Sequence, residues 1–352
     1  MADFTIAFYV HHHGSGHLMR TMQIIKALGN YPILLMGSGL KKLIDIPSNV
    51  QLVYLPLDIA STREKESINN NSSMAYHYAP LGIKGGRDRV DIMTKIFSDH
   101  FPMILIVDVS VEVTLLARLA GVPTIVMHQH GKRQDLPHQL AYDSAELLIA
   151  PYPLSMYMDK KNEYFAKTVF AGGFSKFDEL ERSGEINSKR ICILIGNGGT
   201  SINDEVLNTI ASACSDYEFH VLGLCNEEND NPVNLKFHGN VDNPHQLLDQ
   251  AHIIIGNTGH NTVMETASLN KRFIGIPESR PFDEQIEKAK AIENRSGITI
   301  VLPEELLHAN WPLIISELSE KMVDWNGVIN SSAMDIIAKN IIKTAKKCFQ
   351  LA

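Results

Sequence analysis

Ten residues near the start of the chain, His11 to Arg20, read HHHGSGHLMR and hold four histidines, two glycines and an arginine. An apolar run from Phe4 to Val10 precedes them and an amphipathic pattern follows. They therefore read as a strand end, a glycine turn and a helix start, not as an appended tag. Gly14 and Gly16 let the backbone turn sharply and approach another molecule. That turn delivers His17 to the helix start. An imidazole there suits general-base work, because its ordinary pKa of about 6.5 leaves it mostly neutral at pH 7. A helix-capping or loop histidine is the equally simple alternative. Of His11, His12 and His13, only alternate residues can face one side of a strand. No carboxylate nearby in sequence completes a ligand set with them, so no metal site is expected.

A second group of reactive types lies at 252–265, HIIIGNTGHNTVME. A buried-strand run breaks into a Gly/Asn/Thr turn at Asn257, Thr258 and Gly259, and a helix begins near His260 and Asn261. Helix N-termini hold diphosphates through free N–H groups and the dipole, with the Thr258 and Thr262 hydroxyls as added donors. Glu265, about one turn in, is placed to accept both hydroxyls of a ribose; a favourable first-turn acid is the plain alternative. Gly196, Gly198 and Gly199 follow another strand and allow close approach to a phosphate or sugar. Asp283, Glu284 and Gln285 open a helix after the strand ending at Ile276, placed for sugar hydroxyls, though each alone reads as a solvated first-turn residue. Asp108 and His128 close two further strands and could touch an acceptor or assist His17. Asp108 and Glu112 read equally well as the first turn of the next helix.

These residues need a scaffold that brings strand ends together. Apolar runs of five to seven residues alternate with amphipathic stretches almost throughout, which predicts parallel strands covered by helices on both faces. The expected fold class is α/β: two tandem doubly wound, Rossmann-like domains facing a cleft. The boundaries fall at 1–170, 171–330 and 331–352, the last a terminal amphipathic helix packing back on the domains. The polar gap at 57–86 is long enough for a lid or a mobile segment. A nicotinamide dinucleotide does not fit, since Met19 stands where G-x-G-x-x-G needs its third glycine and no ribose-binding acid ends the second strand.

Composition narrows the classes. The 352 residues carry a formal charge of −8, with 16 basic against 15 acidic residues over 1–170 and 16 against 25 thereafter. An acidic second half argues against nucleic acid, whose binding depends on neutralising phosphates. The four cysteines, Cys192, Cys214, Cys225 and Cys348, form no C-x-x-C pair, which predicts neither disulfides nor structural zinc and fits a reducing cytoplasm. No secretory signal and no apolar run of membrane-spanning length is read.

Together these segments resemble the GT-B glycosyltransferases that use nucleotide sugars. They are most similar to the branch containing the peptidoglycan lipid-intermediate N-acetylglucosaminyltransferase. The G-x-G-H-x-x-R form at 14–20 is similar to that superfamily's first-strand loop, and Asn257 to Glu265 with Ile276, Pro277 and Gln285 to its nucleotide-sugar signature. The resemblance implies His17 as base, Gly198 and Gly199 along the cleft, and 238–241, ending at Val241, beside the nucleobase. It implies Thr258, Gly259, His260 and Asn261 around the diphosphate, Glu265 on the ribose, and Glu284 and Gln285 on the donor sugar. The acceptor would lie in the first domain, near His13, Gly14, Gly16 and His128.

The chain departs from the family at His12 and His13, where further glycines are usual. It departs again at Glu284–Gln285 for Gln-Gln and at Lys288–Ala289 for Asn-Ala. Retaining families often carry two glutamates eight positions apart around this helix; Phe273 stands eight after Glu265. Inversion is therefore expected. The donor, a nucleotide sugar expected to be UDP-linked, is a substrate, and neither cofactor nor metal is expected. The acceptor is an unidentified glycan, lipid or small molecule. The expected location is the cytoplasm, with peripheral contact at the inner face of a membrane left open. The alternatives are a nucleotide-sugar hydrolase, with the loop histidine activating water, and a non-catalytic sugar-nucleotide-binding subunit.

Overall fold

The computed structural model describes residues 3–11, 15–65, 73–159, 161–196, 198–223 and 231–351. His12, His13, Gly14 and Asn197 lie outside the described residues.

The first sheet contains β1 (Thr5–Val10), β2 (Ile33–Gly37), β3 (Val50–Tyr54), β4 (Met103–Val107), β5 (Thr124–Met127), β6 (Leu147–Ala150) and β7 (Thr168–Phe170). Helices α1 (Ser15–Ala27), α2 (Thr62–Lys65), α3 (Lys84–Asp99), α4 (Val111–Leu119) and α5 (Leu136–Ser144) connect them. The second sheet contains β8 (Asn187–Leu194), β9 (Glu218–Leu222), β10 (Leu235–Phe237), β11 (Ala251–Asn257), β12 (Arg272–Ile276) and β13 (Ile298–Ile300). Its helices are α6 (Asp204–Ala213), α7 (His245–Asp249), α8 (His260–Ser268), α9 (Glu284–Ile292) and α10 (Trp311–Glu320), and α11 (Ala333–Phe349) ends the chain.

The order is β3-β2-β1-β4-β5-β6-β7 in one sheet and β10-β9-β8-β11-β12-β13 in the other, and the paired strands run parallel. The apolar runs leave no polar face because both faces are covered, with Ile104, Leu105, Ile253, Ile254 and Ile255 all fully buried. In each sheet the direction of winding reverses once, between β1 and β4 and between β8 and β11. Neighbouring connections leave toward opposite faces there and open a crevice at the strands' carboxyl ends. The segments richest in reactive side chains follow these four strands.

Two chain crossings join the domains and run side by side. Gly173 N–H donates to Val328 O at 2.8 Å, Asn330 N–H to Gly173 O at 2.9 Å, and the Asn330 side chain to Ala171 O at 2.7 Å. After the second crossing, α11 lays Ala333, Ile337, Ala338, Ile341 and Ala345 against Phe4, Ile24, Ile25 and Leu28 of the first domain. Its Ile/Ala stripe at helical spacing is thus core, filled by the far end of the chain.

Three expectations change in detail. Strand β7 is too short to show as an apolar run. Helix α3 starts at Lys84, and α2 interrupts the stretch read as an unbroken gap. The helix expected to open at Asp283 starts at Glu284, because Phe282 and Asp283 take left-handed conformations at φ 63° and 55°.

Ile341→Ala is expected to cost about 2–5 kcal/mol by opening a cavity under α11. Thermal unfolding of the purified variant checks this, and an unchanged midpoint would contradict the packing of α11 on the first domain.

Candidate active site

Helix α1 places His17 and Arg20 one turn apart, on one face. Asp108 follows the last residue of β4, beside β1. Nδ1 of His17 lies 2.6 Å from Oδ2 of Asp108, and Arg20 Nη2 donates to Oδ1 of the same carboxylate. An ionised carboxylate only accepts, so the proton of the imidazole sits on Nδ1 and Nε2 keeps its lone pair. Arg20 Nη2 is also 3.2 Å from Nδ1, but it has only protons to offer and its bond goes to the carboxylate. Burial pushes the Asp108 pKa up, yet Arg20 and His17 outweigh it and hold the carboxyl well below its ordinary range. The His17 side chain is 28% exposed, against 3% for Asp108, so the imidazole is the reachable member of the pair.

The second domain meets this group directly. A Cβ on Gly16 would come 2.9 Å from Asn261 Nδ2, so the N-terminal ends of α1 and α8 face each other at close range. Nearby, Lys132 N–H donates to Phe282 O at 2.7 Å, and Lys132 Nζ lies 2.7 Å from Asp283 Oδ2. Gly131 has φ 114°, and a Cβ there would sit 2.6 Å from Phe282 O. The Arg133 guanidinium stands 5.0 Å over the Phe282 ring. The left-handed pair Phe282–Asp283 is backbone strain placed at this junction.

Two cavities adjoin the junction. One of about 270 Å³ is lined by Arg20, Lys176, Val241, His260, Asn261 and Glu265, among others. The other, about 800 Å³, lies in the first domain between α3, α4 and residues 76–83. Tyr76, Tyr78, Leu81, Met93 and Leu116 line it, and Tyr9 and Ser110 from the ends of β1 and β4 bring it beside the His17–Asp108 pair. Glu112 holds that loop by accepting the N–H groups of His77 and Tyr78 at 2.8 and 2.9 Å.

Residues 190–325 match the glycosyltransferase family 28 C-terminal domain. Over 257 residues the chain is 25% identical to the UDP-N-acetylglucosamine–N-acetylmuramyl-(pentapeptide) pyrophosphoryl-undecaprenol N-acetylglucosamine transferase of Clostridium perfringens strain SM101, covering 68% of this chain and 70% of that protein. Among solved structures, Acinetobacter baumannii MurG superposes with a TM-score of 0.62 at 14% identity, over 97% of this chain and 100% of that one. Arabidopsis thaliana UGT89C1 complexed with UDP gives 0.65 at 11% identity, with the same coverage. The chain is a GT-B glycosyltransferase.

In this glycosyltransferase the smaller cavity gathers Val241, His260, Asn261 and Glu265 from the sequence-predicted donor residues. Gly259 is the residue before α8. Gly198 and Gly199 lie at the rim, where Arg280 donates to Gly199 O at 2.5 Å. Four residues are used differently from expectation. Thr258 is fully buried and its hydroxyl donates to Gln285 O at 2.9 Å, so it is not a free phosphate donor. Gln285 Oε1 accepts the Glu278 N–H at 3.0 Å, and Asn257 Nδ2 donates to Glu278 Oε1 at 3.0 Å. These side chains tie the ends of β11 and β12 together. His128 is buried among Tyr142, Tyr152 and Tyr157, with Nδ1 2.6 Å from the Tyr152 hydroxyl, and burial lowers its pKa to about 4. It is a neutral core histidine and not an acceptor contact, because the chain after β5 turns inward.

Several residues at the site had no assigned role in the sequence reading. Arg20 was visible as the last letter of the first-strand motif. Lys176 Nζ, 3.3 Å from Glu265 Oε1, carried no signal. Glu278 accepts from Ser201 N–H at 2.5 Å and Ser201 Oγ at 2.9 Å, joining the loop after β8 to β12. Glu284, which the resemblance put on the donor sugar, stands between Lys288, at 3.5 Å, and Arg133, at 3.7 Å. Among the described residues, His77, Asp135 and His138 are of metal-ligating type and close together. Their atoms are already bonded: Asp135 meets His77 Nε2 at 2.7 Å and His138 Nδ1 at 2.6 Å, and Arg133 meets His138 Nε2 at 3.0 Å. Among the described residues no helix is long and apolar enough to cross a membrane.

Burial raises the Glu265 pKa, with Lys176 opposing it. The folded chain thus binds this proton more tightly than the unfolded one. Ionisation of Glu265 opposes folding as pH rises through and above about 4.3, and costs nothing well below it. Glu265→Gln is expected to melt higher than the native chain at pH 7–8 and alike at pH 4. Equal melting temperatures at both pH values would contradict the buried charge.

Proposed function

We propose that this glycosyltransferase moves a sugar from a UDP-linked donor to an acceptor hydroxyl with inversion at the anomeric carbon. The contact between His17 Nδ1 and Asp108, whose other partner Arg20 lines the cavity that holds Glu265, carries the reading. The acceptor hydroxyl gives its proton to His17 Nε2, and its oxygen attacks the anomeric carbon on the face opposite the diphosphate. The bond from that carbon to the phosphate oxygen breaks and UDP leaves. Asp108 fixes the tautomer and stabilises the imidazolium as it forms, a positioning and electrostatic role. The N–H groups and dipole at the start of α8 meet the leaving charge, so the step requires neither metal nor cofactor.

Support for UDP comes from the name of the relative, which includes UDP-N-acetylglucosamine, and from the cavity of about 270 Å³ that holds Val241 and Glu265. The first-domain cavity takes the acceptor, whose hydroxyl enters between Ser110 and His17. The enzyme works in the cytoplasm and touches the inner face of a membrane when its acceptor is lipid-borne, as the undecaprenol of the named relatives suggests.

His17→Ala should lower kcat about 10²–10⁴-fold with UDP affinity unchanged. Asp108→Asn should also lower kcat, since an amide can donate to Nδ1 and invert the tautomer. Steady-state rates with calorimetric UDP binding check both. A His17→Ala loss under tenfold, or one matched by lost UDP affinity, would remove His17 from the base role.

A further inference from the structure

Lys288 is a buried cation at this junction whose ammonium has no hydrogen-bond acceptor. It is fully buried on α9, and its ammonium makes no hydrogen bond. The oxygen paired with it, Glu284 Oε1, stands 3.5 Å away, and the other oxygen of Glu284 is 3.7 Å from Arg133. Arg20 also acts on Lys288, and Asp108 already engages Arg20. Three buried cations, Arg20, Arg133 and Lys288, thus share two carboxylates, Asp108 and Glu284. With the histidines neutral the group is one negative charge short. A buried ammonium with unused N–H groups is costly unless something pairs with it.

The missing charge has a route in. Arg20 and His260 line the donor cavity, and both interact electrostatically with Lys288. Glu284 in turn interacts with His17 and Arg20, which places the pair beside the reacting centre. A nucleotide seated against Glu265 and Val241 with its diphosphate along the start of α8 would point its distal end past His260 toward Lys288. The contact of Gly16 with Asn261 and the Lys132–Asp283 pair close the cleft over this point, and parting the domains is what admits the ligand.

We propose that Lys288 is an anion-binding residue of the donor site, its ammonium pairing with an anionic oxygen of the donor. That oxygen belongs either to the distal phosphate or to a carboxylate carried by the transferred sugar. The inference rests on the UDP-sugar reading and adds to it a residue that reads the donor's charge.

Protonation gives a readout that a packing role would not move. Burial lowers the Lys288 pKa to about 8; Glu284 raises it, and Arg20 and Arg133 lower it. His130, from the loop after β5, and His260, from α8, also face it, and both have pKa values held well below their ordinary range by burial. An anion arriving at Lys288 favours the charged form. Ligand binding at pH 8.5 should therefore take up a proton.

The test is calorimetry of wild-type protein and Lys288→Met with UDP, UDP-glucose and UDP-glucuronic acid, at pH 8.5 in two buffers of different ionisation enthalpy. Methionine fills the same space without a charge, and unchanged thermal melting establishes that the variant folds. The proposal expects a loss of about 10- to 100-fold in the variant together with loss of proton uptake. An equal loss for all three ligands identifies the phosphate, and a loss confined to UDP-glucuronic acid identifies the sugar carboxylate. Binding of all three within twofold of wild type overturns the proposal and leaves the UDP-sugar reading standing. Failure of wild-type protein to bind any of them overturns both.

Discussion

A carboxylate buried at the end of a parallel strand must be paired or it will take up a proton. Asp108 meets that constraint with Arg20 on one oxygen and His17 on the other, and both partners come from a single turn of α1. Much of the local arrangement follows. The β1–β4 adjacency puts Asp108 beside the end of β1, where the first turns of α1 bring His17 and Arg20 to the carboxylate. With Asp108 ionised, the imidazole must present a proton on Nδ1, and this frees Nε2 for an acceptor.

The second domain repeats the same topology with different chemistry. Its switch point between β8 and β11 offers small residues, a helix start and Glu265. In the proposed reaction, the facing switch points divide the labour: one side handles the proton and the other the leaving diphosphate. The paired crossings at 171–173 and 328–330 and the return of α11 to the first domain tie the halves at one edge. At the opposite edge, Gly16, Gly131, Phe282 and Asp283 show how closely the halves approach, through missing side chains and left-handed backbone.

Much of this was legible in the sequence, and the reasons are physical. Apolar runs such as 104–107 and 253–255 could only be strands buried on both faces, so the α/β class followed. Glycines beside histidines at strand ends marked both loops. Asp108 was visible as a strand-end acid, yet its partnership with Arg20 spans 88 positions and depends on which strand lies beside β1. Thr258 misled because a hydroxyl at a helix start looks like a phosphate donor until the first turn of α9 supplies the Gln285 carbonyl. His128 misled in the same way, its ring claimed by tyrosines from 142 to 157. Lys288 could not be read as buried at all, because residues of the other domain complete its cover.

Inversion by His17 is the claim on which the chemistry stands, and it can be tested before the natural acceptor is known. Methanol can serve as the acceptor with an α-linked UDP-sugar, and a methyl glycoside does not mutarotate once formed. Proton NMR of that product reads the anomeric configuration directly. The β-methyl glycoside is expected, formed at a rate that falls with His17→Ala. The α-anomer would contradict single displacement and, with it, the role given to the His17–Asp108 pair.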